Sequence, residues 1–237
     1  MLAQHTLATP RADRRFYTAM SIAAAVTVFA GFAPTYFLKS VFGAPTLSPL
    51  VHIHGLLFTS WILLFVTQTS LVAVRRTDIH RRLGILGGIL ASAMVVIGLM
   101  TAVAAARRGA GPPGAVPPLQ FLVIPFGDIL VFASLIGTGL YFRRRPQIHK
   151  RLVLLATISL LTAAVARLPH VGPAGPLAFF GLTDLFIVVC LAYDRVVRGR
   201  IHPAFIWGGL LIVLSQPLRL LIAGTDAWLA FATWLTR

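Results

Sequence analysis

The chain has 237 residues, 57% hydrophobic and 11% charged. An ordinary soluble domain is roughly a quarter charged, so the apolar excess here has to face lipid. The formal net charge of +15 comes from 21 Lys and Arg against six Asp and no Glu. In a soluble protein such an excess points to nucleic acid. Here the bases lie in short clusters between apolar runs, which excludes nucleic acid and makes anionic lipid headgroups the expected partner.

A membrane-spanning helix needs about 20 apolar residues. Residues 16–38, 50–74 and 83–106 carry no charge, and 119–142 carries only Asp128. Residues 150–167 form a shorter run that Lys150 and Arg151 lengthen by snorkelling. Residues 177–194 hold Asp184, and 203–224 hold Arg219. Residues 228–237 read as an interfacial tail. The expected fold is all-α: an integral membrane seven-helix bundle, one transmembrane domain over 1–237. The first run exceeds a typical signal-peptide core and is expected to be an uncleaved span. Segments 109–118 and 168–176 are Pro/Gly-rich and read as loops.

Most of the bases fall at alternate ends of the spans: Arg11, Arg14 and Arg15; Arg75, Arg76, Arg81 and Arg82; Arg143, Arg144, Arg145, Lys150 and Arg151; Arg195, Arg198 and Arg200. By the positive-inside rule this predicts a cytoplasmic N-terminus and an external C-terminus in a bacterial inner membrane. Three of these inner loops share the pattern Arg-x-x-Ile-His: Arg76 to His80, Arg145 to His149 and Arg198 to His202. One leading helix and three repeated hairpins follow from it. At a helix start such a histidine bonds a free backbone N–H or a lipid phosphate. The functional alternative is that His80 and His149 face each other and hold a metal or haem.

Ionisable residues inside a span are expensive and mark sites or buried pairs. His54 lies in the outer third of span 2, and Asp128 roughly a dozen Å down span 4 at the helical rise. Asp184 sits at similar depth, Arg219 lies beside Gln216, and Arg167 and His170 close span 5. The functional reading is a metal site of His54, Asp128 and Asp184, or a transport path using Asp128, Asp184, Arg219 and Arg167. The structural reading is an ion pair of Arg219 with Asp128 or Asp184, Asp184 being the attractive partner because its span and that of Arg219 are consecutive. His52 and His54 point about 200° apart on a helix; His54 is expected inward, where Gly55 admits a close neighbour, and His52 at the interface. Tyr36, Trp61, Tyr141, Tyr193, Trp207 and Trp228 read as interfacial anchors. Cys190 is expected to pack.

The lysines are Lys39 and Lys150, so span 7 offers no Schiff-base lysine and a retinal protein is excluded. The N-in topology argues against a G-protein-coupled receptor. No Walker, GxSxG, HExxH or CxxC motif occurs.

The stretch His54-Gly-Leu-Leu-Phe, Trp61, Phe65, Gln68-Thr, Val72 and His80-Arg-Arg-Leu-Gly84 resembles bacterial multi-pass membrane proteins of uncharacterised function. In those proteins a histidine opens one span and an H-R-x-L-G turn precedes the next. The stretch is also distantly similar to transmembrane b-type cytochromes and haem-binding reductases. The resemblance covers spans 2 and 3. It implies haem b bracketed by histidines at two levels, with His54 at the outer and His80 at the inner position, and His149 and His170 as their partners. Three functions remain open on the sequence: a haem or metal protein, a small-solute or proton-coupled carrier, and an accessory subunit without chemistry.

Overall fold

The structure is a computed structural model that describes residues 10–109 and 116–237. Among these there are only helices and connecting turns, and seven segments are long and apolar enough to cross a bilayer. Helix α1 runs Pro10–Phe32 and continues as a π-helical turn, Ala33–Phe37. Then come α2 (Pro49–Ala73), α3 (Thr77–Arg107), the short α4 (Pro118–Phe121), α5 (Val123–Tyr141), α6 (Pro146–Val165), α7 (Pro176–Arg198), α8 (Pro203–Ile222) and α9 (Asp226–Leu235). The chain is a multi-pass membrane protein. The loop expected at 109–118 lies mostly outside the described residues.

Prolines punctuate the fold. Helices α1, α2, α4, α6, α7 and α8 each open on one, where the fixed φ suits the first turn and the missing N–H has no partner to lose. Elsewhere proline interrupts. Pro125 cannot bond the Phe121 carbonyl, and the fourth span breaks between α4 and α5 at Leu122. Pro34 likewise turns the end of α1 into a π-helix. Helices α3 and α6 begin several residues before the uncharged runs do, because their first turns carry His80 with Arg81 and Arg82, and His149 with Lys150 and Arg151.

Helices α1, α2, α3, α5 and α6 each pack on the next, and α6 packs back on α1, closing a ring of five. Helices α7 and α8 pack outside it, against α6 and α5. The outer faces are apolar: Ile85, Ile89 and Val96 of α3 are 70%, 64% and 57% exposed, as lipid-facing residues should be. The ring closes tightly between α1 and α6, where a Cβ on Gly31 would strike the Ala164 backbone. Gly31→Val is therefore expected to cost about 1–3 kcal/mol by forcing the two helices apart. A matching fall in the thermal midpoint of the detergent-solubilised protein checks it, and an unchanged midpoint would refute so close a crossing.

Two expectations about side chains are corrected. Trp61 is no interfacial anchor: it is 5% exposed, lies inside the ring, and donates from Nε1 to Thr157 Oγ1 at 3.2 Å. Tyr193 stacks on Phe16 at 3.8 Å and donates to Asp13 at 2.7 Å. Arg151 does not snorkel either. It is fully buried and forms a two-point ion pair with Asp194 of α7, at 3.0 and 2.6 Å. Tyr141 and Trp207 do lie outside, at 77% and 72% exposure.

Candidate cofactor site

The five ring helices line a cavity of about 660 Å³ that opens at their Arg-rich end. Trp61 forms part of its lining and crosses the ring interior towards Thr157 of α6, with Phe132 edge-on to it at 5.4 Å. Leu64, Phe65 and Leu140 make the walls apolar. Such a volume and lining suit a small amphipathic molecule.

Two histidines on different helices line the cavity. His80, on the first turn of α3, and His149, on the first turn of α6, have ring centroids 6.4 Å apart and planes 81° apart. His149 Nδ1 lies 2.8 Å from the Gly139 carbonyl. A carbonyl only accepts, so Nδ1 carries a proton, and it is Nε2 that the neutral ring would offer to a metal. His80 Nδ1 is buried with no hydrogen-bond partner. Gln68 of α2 donates to the His80 carbonyl at 3.2 Å, while its own Oε1 is buried and unpartnered. Tyr17 of α1 is 8% exposed and its hydroxyl also lacks a partner. The cavity wall thus holds three buried polar atoms with unused bonding capacity, where most buried polar groups are satisfied.

The third copy of the repeat does something else. Arg76 and Arg145 are helix N-caps, so His80 and His149 sit one turn inside their helices. His202 is itself the N-cap of α8: Pro203 follows it and drives it to φ −73°, ψ 136°, so no helix can start earlier. Its Nδ1 accepts from the Ala204 N–H at 3.1 Å, and its own N–H donates to Asp194 at 3.1 Å. Burial first, and then the Arg151 charge, hold His202 below the ordinary imidazole range, which suits a ring that must stay neutral to cap. One sequence pattern therefore gives two cavity histidines and one helix cap.

The outer group is not brought together. Asp128 pairs with Arg219 of α8 at 2.5 Å, and Arg219 also donates to Ser215 and the Ile124 carbonyl. Gly127 leaves room for the Arg219 stem, which a Cβ there would meet at 2.6 Å. Asp184 is not the partner of Arg219; it accepts from Gln216 at 2.8 Å. His54 stacks on Phe58 at 4.1 Å, and its Nδ1 is buried without a partner. His52 is exposed, and the face opened by Gly55 is occupied by the Tyr36 ring. His170 is exposed in the α6–α7 loop with a left-handed φ of 64°. Arg167 caps the Ala163 carbonyl at 2.6 Å and lies over Phe32. Among the described residues no three His, Cys, Asp or Glu side chains form a metal-binding group. The expected His54, Asp128 and Asp184 metal site is thus not assembled, because each acid is held by a side chain of α8.

From the cavity wall outward runs an ion-pair network that the sequence did not disclose. Asp13 of α1 accepts from Lys150 of α6, Arg198 of α7 and the Tyr193 hydroxyl. Arg198 also reaches Asp194 at 3.3 Å. The hint was available: of the six acids in the chain, Asp13, Asp78 and Asp194 lie at Arg-rich span ends, each beside several bases.

Comparison of the chain with protein-family models, with curated proteins and with solved structures found no match.

Proposed function

We propose that the protein is a membrane haem protein that holds a b-type haem in the ring cavity between His80 and His149, with the Arg-rich face towards the cytoplasm of a bacterial inner membrane. The observation that carries the reading is the approach of the two imidazoles in the lining of an apolar cavity. Metal–imidazole bonds of about 2 Å put the centroids of two rings on one ion about 6 Å apart. The observed separation is 6.4 Å. His149 has the outer-shell bond that fixes a ligating tautomer: its second nitrogen donates to a backbone carbonyl. Gly84 and Gly87 line the cavity on α3 and leave a smooth wall for a flat ring. Two histidines are the full set of protein ligands a haem iron takes. A metal held by protein donors alone needs three or four. The haem would supply one-electron chemistry; His80 and His149 would hold its iron, and the apolar walls would cover its ring.

Within this reading the resemblance to b-type cytochromes extends to the inner level, with His149 rather than His170 as the partner. Among the described residues no second histidine ring contacts His54 at the outer level. The carrier reading draws no support from Asp128 and Arg219, whose charges satisfy each other.

Visible spectra of the purified protein, oxidised and reduced, test the proposal. A Soret band with about one haem per chain is expected, lost in His80→Ala and in His149→Ala and kept in His54→Ala and His170→Ala. A folded protein that is colourless and takes up no added haemin would sink it, as would a Soret band that survives both inner substitutions.

A further inference from the structure

The cavity carries more positive charge at its mouth than its acids match. Asp13 is the acid among its lining residues, and it is already shared by Lys150 and Arg198, at 2.5 Å each. Asp194, behind the wall, serves Arg151 and Arg198. Arg14 on α1 and Arg75 at the end of α2 also line the cavity. Neither takes part in an ion pair among the described residues.

Tyr17 stands one helical turn from Arg14, on the same face of α1. Its ring lies 5.0 Å from the Lys150 ammonium. Its hydroxyl is buried without a partner. A hydroxyl donor flanked by cations, in a cavity whose own acid is fully engaged, is a constellation that an anionic oxygen completes. A carboxylate accepts at both oxygens and forms the shorter, stronger charge-assisted bonds. The apolar remainder of the cavity requires the rest of such a ligand to be hydrophobic.

We infer that Tyr17, Arg14 and Arg75 form a carboxylate-binding edge of the cavity, so that its ligand is an amphipathic acid oriented with its anionic end towards α1 and the Arg-rich face. Applied to haem the inference rests on the reading above, and places the propionates at this edge. The recognition itself needs only the carboxylate and the apolar body, not the iron.

The test uses four porphyrins: haemin and its dimethyl ester, and iron-free protoporphyrin IX and its dimethyl ester. Binding to the detergent-solubilised full chain is followed by Soret absorbance or by porphyrin fluorescence. Each acid is expected to bind about tenfold or more tightly than its ester, since a hydrogen bond to a charged group is worth about a decade in affinity. Tyr17→Phe and Arg14→Gln, and Arg75→Asn, which tolerates the left-handed φ of 64° at that position, are expected to weaken the acids severalfold and leave the esters unchanged. Higher salt should narrow the same gap. Equal binding of acid and ester in the unmodified chain overturns the carboxylate edge and leaves His80 and His149 as haem ligands. Preference for protoporphyrin over its ester with no spectral sign of ligated iron supports the edge and sinks the haem reading. No binding of any of the four overturns both. Variants are compared at matched thermal midpoints, so a loss that accompanies unfolding is recognised, and Arg14, which holds no other side chain, carries the comparison if Tyr17→Phe unfolds.

Discussion

Asp194→Ala is expected to cost about 3–5 kcal/mol of stability and to leave little folded protein in detergent. The side chains of Arg151 and Asp194 are both fully buried, between α6 and α7. The guanidinium meets the carboxylate through Nε and Nη2, and its Nη1 is bound to the Gln147 carbonyl and side chain at 2.8 and 2.9 Å. Phe205 of α8 packs on its face at 5.1 Å. Removing the carboxylate leaves an uncompensated cation in a site that water cannot enter, and also frees the His202 N–H that starts α8. The penalty for a lone buried charge is larger than the net worth of the pair, so the order matters more than the absolute cost. Asp194→Asn keeps one acceptor oxygen but turns an NH2 donor towards the donors on the other side, so it should fall between the parent and Asp194→Ala. The joint replacement Arg151→Met with Asp194→Leu should recover most of the loss. Thermal midpoints and the monodisperse fraction after heating read this out. An Asp194→Ala protein as stable as the parent would show that α6 and α7 are held by something else.

The structure explains why some of these residues could be read from the chain and others could not. Span number and class follow from the length and apolarity of each run, properties of the segment alone, and they were legible. The boundaries were displaced because a run without charges is not the same thing as a helix. The basic first turns of α3 and α6 are helical, and their long side chains reach outward from within the helix. The pairing of His80 with His149 was legible as a repeat, since equal positions in successive hairpins come to the same depth. Its failure at His202 was legible too, in the proline that follows. Trp61 was not. Its partner Thr157 is 96 residues away on another helix, and nothing in the α2 sequence says which face the ring closure turns inward. Arg151 and Asp194, 43 residues apart, fail for the same reason. Each lies at the edge of an apolar run, where a charge ordinarily belongs to the headgroups. The outer cluster shows the converse error: similar depth along separate spans does not assemble a site, because Asp128 is taken up by Arg219 and Asp184 by Gln216 of α8.

Neutralising both members of the Asp128–Arg219 pair is expected to be tolerated, while removing either alone is not. Arg219 is 4% exposed and Asp128 7%, and the pair joins α5 to α8. Asp128→Leu strands a guanidinium whose remaining partners are Ser215 at 2.7 Å and the Ile124 carbonyl at 3.3 Å, which leave its Nε unbonded and its charge unbalanced. A loss of about 3–5 kcal/mol is expected for that single change, and a similar one for Arg219→Met. With both replaced, no charge is left to desolvate, and a well-packed apolar pair is commonly neutral or stabilising. Gly127 sets one condition: it was shaped around the arginine stem, so the methionine must lie in the same groove. The double substitution also separates the readings of this pair. If the charges only tie the bundle together, the doubly neutral protein keeps its thermal midpoint and, on the proposal above, its haem spectrum. A doubly neutral protein that folds normally and yet loses a pH-driven solute flux in vesicles would restore the carrier hypothesis and assign the two charges to its pathway.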